Sequence, residues 1–151
     1  MLGTEHQPLR LVLDTNVVVA GLLWNGPPRR LLELSTSGNI ELFTSPVLIQ
    51  ELTSTLQYQK FESRIQSFKT SLAALVLQYS TLSTIVLPST VPRVVLDDSD
   101  DDHVIAAAVA ARASLIITGD RRHLLPVGSH QGIAIITASE ALERIATLPR
   151  G

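Results

Sequence analysis

The stretch Arg10-Leu11-Val12-Leu13-Asp14-Thr15-Asn16 contains a short apolar run that stops at an acidic residue. A continuous apolar run of this length is typical of a strand buried on both faces of a parallel sheet. The apolar run at residues 17–24 is too long to be a continuation of the strand. It ends at residues 25–28, where glycine and proline break regular secondary structure. The stretch therefore predicts a strand, a carboxylate and then a buried helix, which Thr15 or Asn16 can cap.

Outward from this stretch, short apolar segments alternate with helical patterns along the whole chain. Further strands are predicted at 40–44, 84–87, 115–118 and 133–136, and helices at 28–37, 47–56, 61–79, 104–111 and 138–146. Strands that alternate with helices imply right-handed crossovers and a mostly parallel sheet with helices on both faces. We therefore predict an α/β fold, with the 151 residues forming one domain (1–151) whose core covers about 10–146.

A long helix is predicted at 61–79, with a possible break near Ser63. Its apolar stripe carries aromatic residues. Because Phe61, Phe68 and Tyr79 follow helical spacing, they are predicted to be core residues and not a base-stacking platform. The basic residues of the opposite face are typical of solvated charges and only weakly indicate a phosphate-contacting surface.

The composition favours a compact chain and limits its chemistry. The sequence is 45% hydrophobic and 17% charged, and it contains no cysteine, which leaves carboxylates, hydroxyls and four histidines as reactive groups. No apolar stretch reaches the roughly 18 residues of a membrane span, and the N-terminus lacks a leader pattern, so a cytoplasmic location is expected. The net charge of −2 does not exclude nucleic-acid binding. If a bound cation neutralises several carboxylates, the other charged residues of the chain have a positive net charge.

A run of acidic residues, Asp97-Asp98-Ser99-Asp100-Asp101-Asp102, directly precedes the apolar helix pattern of 104–111. Carboxylates this close repel one another unless water, a helix end or a cation compensates. Helix capping accounts for part of the run, and many such runs are only solvated loops. Capping does not require the remaining aspartates, so a solvated loop and a metal site both remain open for this segment.

Four acidic residues are predicted to converge at one edge of the sheet. Asp14 closes the first strand, Asp120 follows the fourth strand, Asp102 begins a helix, and Glu51 lies in the helix after the second strand. Ligands of parallel sheets gather at the carboxyl ends of the strands. Mg²⁺ and Mn²⁺ prefer oxygen ligands, so this edge predicts a site for a hard cation. A half-exposed side chain without a ligand role is the alternative for Glu51.

Four segments, in this order, resemble the motifs of the PIN domain family: Leu11-Val12-Leu13-Asp14-Thr15-Asn16, then Glu51 within 45–52, then Asp102 within 102–108, then Thr118-Gly119-Asp120 with Leu124-Leu125. The resemblance covers residues 10–146 approximately. Within the family, the sequence most resembles the VapC-like toxins of bacterial toxin–antitoxin systems. It implies a three-layer αβα sandwich whose five-stranded parallel sheet has the order 3-2-1-4-5. It also implies hydrolysis of RNA phosphodiesters with one or two Mg²⁺ or Mn²⁺ ions, a homodimer and a cognate antitoxin.

The resemblance also implies roles for individual residues. Asp14, Glu51, Asp102 and Asp120 correspond to the catalytic and metal-binding acids of the family, Asn16 and Thr118 to its supporting polar residues, and Asp98 and Asp101 lie in the same acidic segment as further supporting candidates. Asp14 and Asp102 are expected to hold the cation directly, and Glu51 and Asp120 to act through water. Products with 5′-phosphate and 3′-hydroxyl ends would follow.

The segment after Asp120 carries three candidates for binding the substrate. Arg121, Arg122 and His123 are predicted to contact the RNA backbone, and a solvated charged loop is the equally open alternative. Residues 53–95 match no motif of the family.

Two other functions fit parts of the sequence. An aspartate-based phosphotransfer enzyme would use Asp14 as its nucleophile, but the haloacid-dehalogenase-like form requires a second aspartate where Asn16 stands. A receiver domain requires a lysine after a late strand, whereas the only lysines are Lys60 and Lys69. A PIN-like module that binds RNA or protein without catalysis is the remaining alternative, and the intact set of four acids argues against it.

Overall fold

The computed structural model describes residues 8–89 and 99–148, apart from the side chains of residues 99 and 100. The strands are β1 (Leu9–Leu13), β2 (Ile40–Thr44), β3 (Ser83–Ile85), β4 (Leu115–Ile117), β5 (Ser129–His130) and β6 (Ile133–Ile136). The helices are α1 (Thr15–Leu23), α2 (Pro27–Leu34), α3 (Pro46–Leu56), α4 (Glu62–Ser67), α5 (Leu72–Leu82), α6 (Ser99–Ala111) and α7 (Ala138–Ala146). Across these ranges, every helix is too short or too polar to span a membrane. Asp98 lies outside the described residues.

The sheet has the order β3-β2-β1-β4-β6-β5, and all neighbouring pairs are parallel except β5 and β6. The prediction of an α/β fold with a parallel sheet is therefore confirmed, and the predicted order holds with β6 in the place of the fifth strand. The count of five strands was wrong, because β5 adds a sixth strand at the edge. Its two-residue connection to β6 places Gln131 and Gly132 at positive φ, as a type I′ hairpin turn requires.

The single helix predicted over 61–79 was also wrong. The segment forms a 3₁₀ turn at Gln59–Phe61, then α4 and α5, and the chain breaks at 68–71 and not near Ser63. Lys69 adopts a left-handed conformation with φ of 54°, which ends the first helix. Ser71 then caps α5 by accepting a hydrogen bond from the backbone N–H of Ala74.

The core lies on both faces of β1, which explains why this strand is apolar throughout. Leu11 and Leu13 pack into the cluster formed with α1, α2 and α5, whereas Val12 packs into the cluster formed with α6. The alanines of α6 at 106–108 are buried, and their small side chains allow the helix to lie close to the sheet. This packing fixes the first turn of α6 at the carboxyl edge of β1 and β4.

Candidate metal centre

Asp14 and Thr118 lie side by side where β1 and β4 end. Leu13 pairs with Ile117 in the parallel register, and the backbone N–H of Asp14 donates to the carbonyl of Ile117. Asp14 is also the N-cap residue of α1, in place of the predicted Thr15 or Asn16. Its Oδ1 accepts the backbone N–H of Thr15 at 2.8 Å, and its Oδ2 accepts the hydroxyl of Thr118 at 2.8 Å. The two donors fix the orientation of a buried carboxylate.

Thr118 connects this carboxylate to the loop that carries Asp120. Its hydroxyl donates to Asp14 and accepts the backbone N–H of Asp120 at 3.0 Å. The side chain of Thr118 is fully buried, so its hydroxyl makes these two hydrogen bonds away from bulk water. The positions of Asp14 and Asp120 are therefore coupled.

Replacing Thr118 with valine should lower the free energy of unfolding by about 1–3 kcal/mol, because it leaves buried polar partners unsatisfied. Valine matches threonine in shape, so the loss reports on the hydroxyl and not on a cavity. Thr118→Ser keeps the hydroxyl and should recover most of the hydrogen-bond contribution. Urea denaturation of the metal-free protein measures both variants, and equal losses for the two would contradict this role.

The turn after Asp120 wraps its own backbone around the carboxylate. Asp120 Oδ1 accepts the backbone N–H groups of Arg122 and His123, both at 3.0 Å, and Oδ2 lies 3.5 Å from Nδ1 of His123. Burial by itself raises the pKa of Asp120, but the two backbone donors, the side chain of Asp101 and the charge of His123 outweigh it and hold this pKa below its usual value. The arrangement favours the ionised form of Asp120.

Asp101 and Asp102 occupy the first turn of α6 and are both buried. The side chain of Asp101 forms a hydrogen bond with Asp120. Oxygen atoms of Asp101 and Asp120 and a ring nitrogen of His123 all lie within 4.8 Å of one another, close enough to share one metal ion. The structure thus brings an acid of α6 against the acid that follows β4.

The contact between Asp101 and Asp120 requires a positive partner. Two carboxyl groups within hydrogen-bond distance cannot both be ionised at low cost unless a proton or a cation lies between them. Carboxylate oxygens are the donors that Mg²⁺ and Mn²⁺ prefer, and an imidazole nitrogen can complete such a set for a first-row metal. The residues present therefore fit a divalent cation.

Comparison with known proteins identifies the family. The sequence pattern described as "PIN domain" matches residues 10–122, which is most of the chain and includes every acid described above. This chain belongs to the PIN domain family. An uncharacterised protein of Methanocaldococcus jannaschii is 30% identical over 118 residues, covering 78% of this chain and 74% of that protein. PIN domains are generally metal-dependent nucleases, which agrees with an acidic cluster able to hold a metal ion.

The other predicted acids of this PIN domain lie directly after β1, in α6 and in α3. Asp14 reaches the Asp120 loop through Thr118, and Asp102 is adjacent to Asp101 on α6. Glu51 is half-buried on α3, between Leu48 and Leu52 of the two apolar clusters. Among the described residues, the group of three ligand atoms within 4.8 Å of one another consists of Asp101, Asp120 and His123.

The candidates for binding substrate take different positions in the PIN domain. Arg121 and Arg122 are exposed in the turn after Asp120, as a phosphate-contacting role requires. His123 is half-buried, with its ring beside Asp120. Asn16 is exposed in the first turn of α1, two residues after Asp14.

Sequence reasoning missed His123 as a candidate ligand and gave Asp101 only a supporting place. The spacing Asp120-x-x-His123 is the signal that could have found the histidine, because residues three apart in a turn lie on the same side. No comparable signal distinguishes Asp101 from Asp102, because both stand in one acidic run whose helical phase depends on the position of α6.

Proposed function

We propose that this PIN domain is a Mg²⁺- or Mn²⁺-dependent endoribonuclease that hydrolyses RNA phosphodiester bonds. The observation that carries the proposal is the contact of Asp101 with Asp120 and His123 at the sheet edge where Asp14 also ends its strand. Membership of a family of metal-dependent nucleases supports the same chemistry.

The proposed cation ligands come from four parts of the fold, namely the ends of β1 and β4 and the helices α3 and α6. Asp14 and Asp102 would hold one or two ions directly, Asp101 would contribute a further oxygen and His123 a ring nitrogen, and Glu51 and Asp120 would act through water. When bound, the ion offsets the charge of these carboxylates, polarises a phosphoryl oxygen and lowers the pKa of a bound water. No aspartate serves as a nucleophile in this scheme.

The side chains of the protein have separate roles in the proposed reaction. Thr118 and the backbone N–H of Thr15 hold the Asp14 carboxylate in one orientation. Asp120, kept ionised by its own turn, or Glu51 accepts the proton of the attacking water. Arg121 and Arg122 contact the phosphates on either side of the scissile bond. The leaving group is the ribose 3′ oxygen.

The proposed cellular role is that of the toxin of a type II toxin–antitoxin pair in the cytoplasm. The VapC-like motifs around Asp14, Glu51 and Asp102 support this role. A cognate antitoxin and a second copy of the chain, in a homodimer, are the proposed protein partners. Growth arrest on expression, relieved by an adjacent small gene, is the observation that would establish the pair.

The purified protein should cut RNA only in the presence of Mg²⁺ or Mn²⁺. A panel of labelled RNAs, incubated with each metal or with EDTA and resolved on sequencing gels, measures the requirement. Product ends are identified by phosphatase and ligase treatment, and the expected ends are 5′-phosphate and 3′-hydroxyl. Cleavage in EDTA with 2′,3′-cyclic phosphate ends would refute the proposed chemistry, and RNA binding without any cleavage would favour a non-catalytic PIN module.

A further inference from the structure

A group of exposed aromatic rings lies away from the acidic cluster, at the carboxyl end of α1 and in the segment between α3 and α5. We name it the aromatic surface; it consists of Trp24, Tyr58, Phe61 and Phe68. Trp24, Tyr58 and Phe68 are 41%, 55% and 42% exposed, although a structural role would favour burying such large rings. The prediction from helical spacing that Phe68 belongs to the core was therefore wrong, because the helix breaks at that residue.

Three of the rings form one continuous group, and Phe68 is connected to it through the guanidinium of Arg64. The centroids of Trp24 and Phe61 lie 6.0 Å apart in an edge arrangement, and those of Tyr58 and Phe61 lie 6.5 Å apart with an interplanar angle of 9°. Phe61 is half-buried and holds the two outer rings in place. The outer rings of Trp24 and Tyr58 thus stay partly exposed on a fixed base.

Cationic side chains lie over these rings. The guanidinium of Arg64 is 4.7 Å from the ring centroid of Phe68 and 5.5 Å from that of Trp24, and the ammonium of Lys60 is 5.1 Å from the centroid of Phe61. Nε of Arg64 donates to the carbonyl of Leu23 at 2.7 Å, so this arginine also closes the end of α1. That structural role explains Arg64 but not Lys60 or the three exposed rings.

The surface is basic within an acidic chain. Residues 57–69 carry Lys60, Arg64 and Lys69 against the single carboxylate of Glu62, whereas the whole chain has a net charge of −2. A partner that matches both features needs negative charge together with flat aromatic groups. A single strand of RNA has both, because every base offers a π-face and every linkage a phosphate.

We propose that the aromatic surface binds single-stranded RNA, with bases stacked on Trp24, Tyr58 and Phe68 and phosphates near Lys60 and Arg64. The identity of this strand as the substrate rests on the proposed function; the binding itself does not. Double-stranded RNA does not fit, because its bases are already stacked on one another. An acidic peptide would satisfy the charges but not the exposed rings.

One face of α1 connects the surface to the acidic cluster. Asn16, Ala20 and Trp24 follow at four-residue steps, so they lie on the same side of the helix, and none of them is buried. From Asp14 to Trp24 the helix rises about 15 Å. A few nucleotides of extended strand bridge this distance, so one RNA can contact the aromatic surface and reach the carboxylates.

The only tryptophan of the chain makes the binding directly observable. A single-stranded oligouridylate of about 12 nucleotides should quench the fluorescence of Trp24 in EDTA, where no metal-dependent cleavage occurs. Poly-L-glutamate and an RNA duplex of the same length serve as controls that supply charge without free bases. Quenching by the oligouridylate alone is the expected result, and equal quenching and affinity for all three would overturn the proposal.

Variants of Tyr58 separate stacking from charge. Tyr58→Leu removes the ring and should weaken binding by about five-fold or more, whereas Tyr58→Phe keeps it and should bind normally. Leu77→Ala is the matched surface control, because Leu77 is 67% exposed on α5. Equal melting temperatures confirm that the variants fold. Unchanged affinity of Tyr58→Leu overturns the proposal, whereas intact EDTA binding with no cleavage in Mg²⁺ or Mn²⁺ overturns only the proposed function.

Discussion

Replacing Asp14 with asparagine should reduce RNA cleavage at least about 100-fold, since losing even an outer partner of a metal ligand typically costs about 10- to 100-fold. The substitution removes a negative charge but hardly changes the size of the side chain. In the native protein, one oxygen of Asp14 accepts the backbone N–H of Thr15 and the other accepts the hydroxyl of Thr118. An asparagine amide has one oxygen only, so it cannot accept both hydrogen bonds in this way. Both effects weaken the cation site.

Initial rates of cleavage in Mn²⁺ and calorimetric titration of Mn²⁺ into RNA-free protein measure this loss. Glu143→Gln provides the same chemical change at an exposed position of α7 and should leave both quantities at their native values. Native cleavage and native Mn²⁺ binding by the Asp14→Asn protein would remove Asp14 from the proposed site. Native binding with lost cleavage would restrict its role to the reaction step.

Replacing Asp101 with asparagine should abolish most of the stabilisation that Mn²⁺ gives to the native protein. An ion that binds only the folded state contributes about 2.7 kcal/mol when present at 100 times its dissociation constant. Without metal, the same variant should be as stable as the native protein or more stable at neutral pH, because an amide donates to Asp120 directly, whereas the carboxyl group of Asp101 can donate only when it carries a proton. Function and stability therefore change in opposite directions at this residue.

Urea denaturation with and without Mn²⁺ measures this opposition. Glu143→Gln again serves as the control and should keep the full response to the metal. A variant Asp101→Asn that loses stability in EDTA would show that Asp101 has a structural role. Full stabilisation by Mn²⁺ would exclude Asp101 from the ligands.

The parts of the fold that depend on local signals were predictable. The apolar run before Asp14 could be recognised as a strand without tertiary information, because a continuous apolar composition indicates burial on both faces. Ser45 and Thr137 are residue types typical of N-caps, and each stands directly before a helix, α3 or α7, and accepts a backbone N–H three residues on. Asp14 and Asp120 were placed at one edge by the same reasoning.

The parts that depend on packing or on unusual backbone conformations were not predictable. The turn between β5 and β6 is formed by Gln131 and Gly132, and it lacks the asparagine or aspartate that is usual in such turns. The end of α4 depends on the left-handed conformation of Lys69, which a lysine rarely adopts. The contact of Asp101 with Asp120 depends on how α6 lies against the sheet, which its uniform run of alanines does not reveal.

The parallel topology also has an electrostatic consequence. α1, α3 and α6 all begin at the edge where the strands end, and the aligned peptide dipoles of each helix place a partial positive charge at that beginning. Asp14 at the start of α1 and Asp101 in the first turn of α6 each gain about 0.3–1 kcal/mol from this field. The backbone itself thus lowers the cost of gathering carboxylates, so a proton or a bound cation has less repulsion to offset.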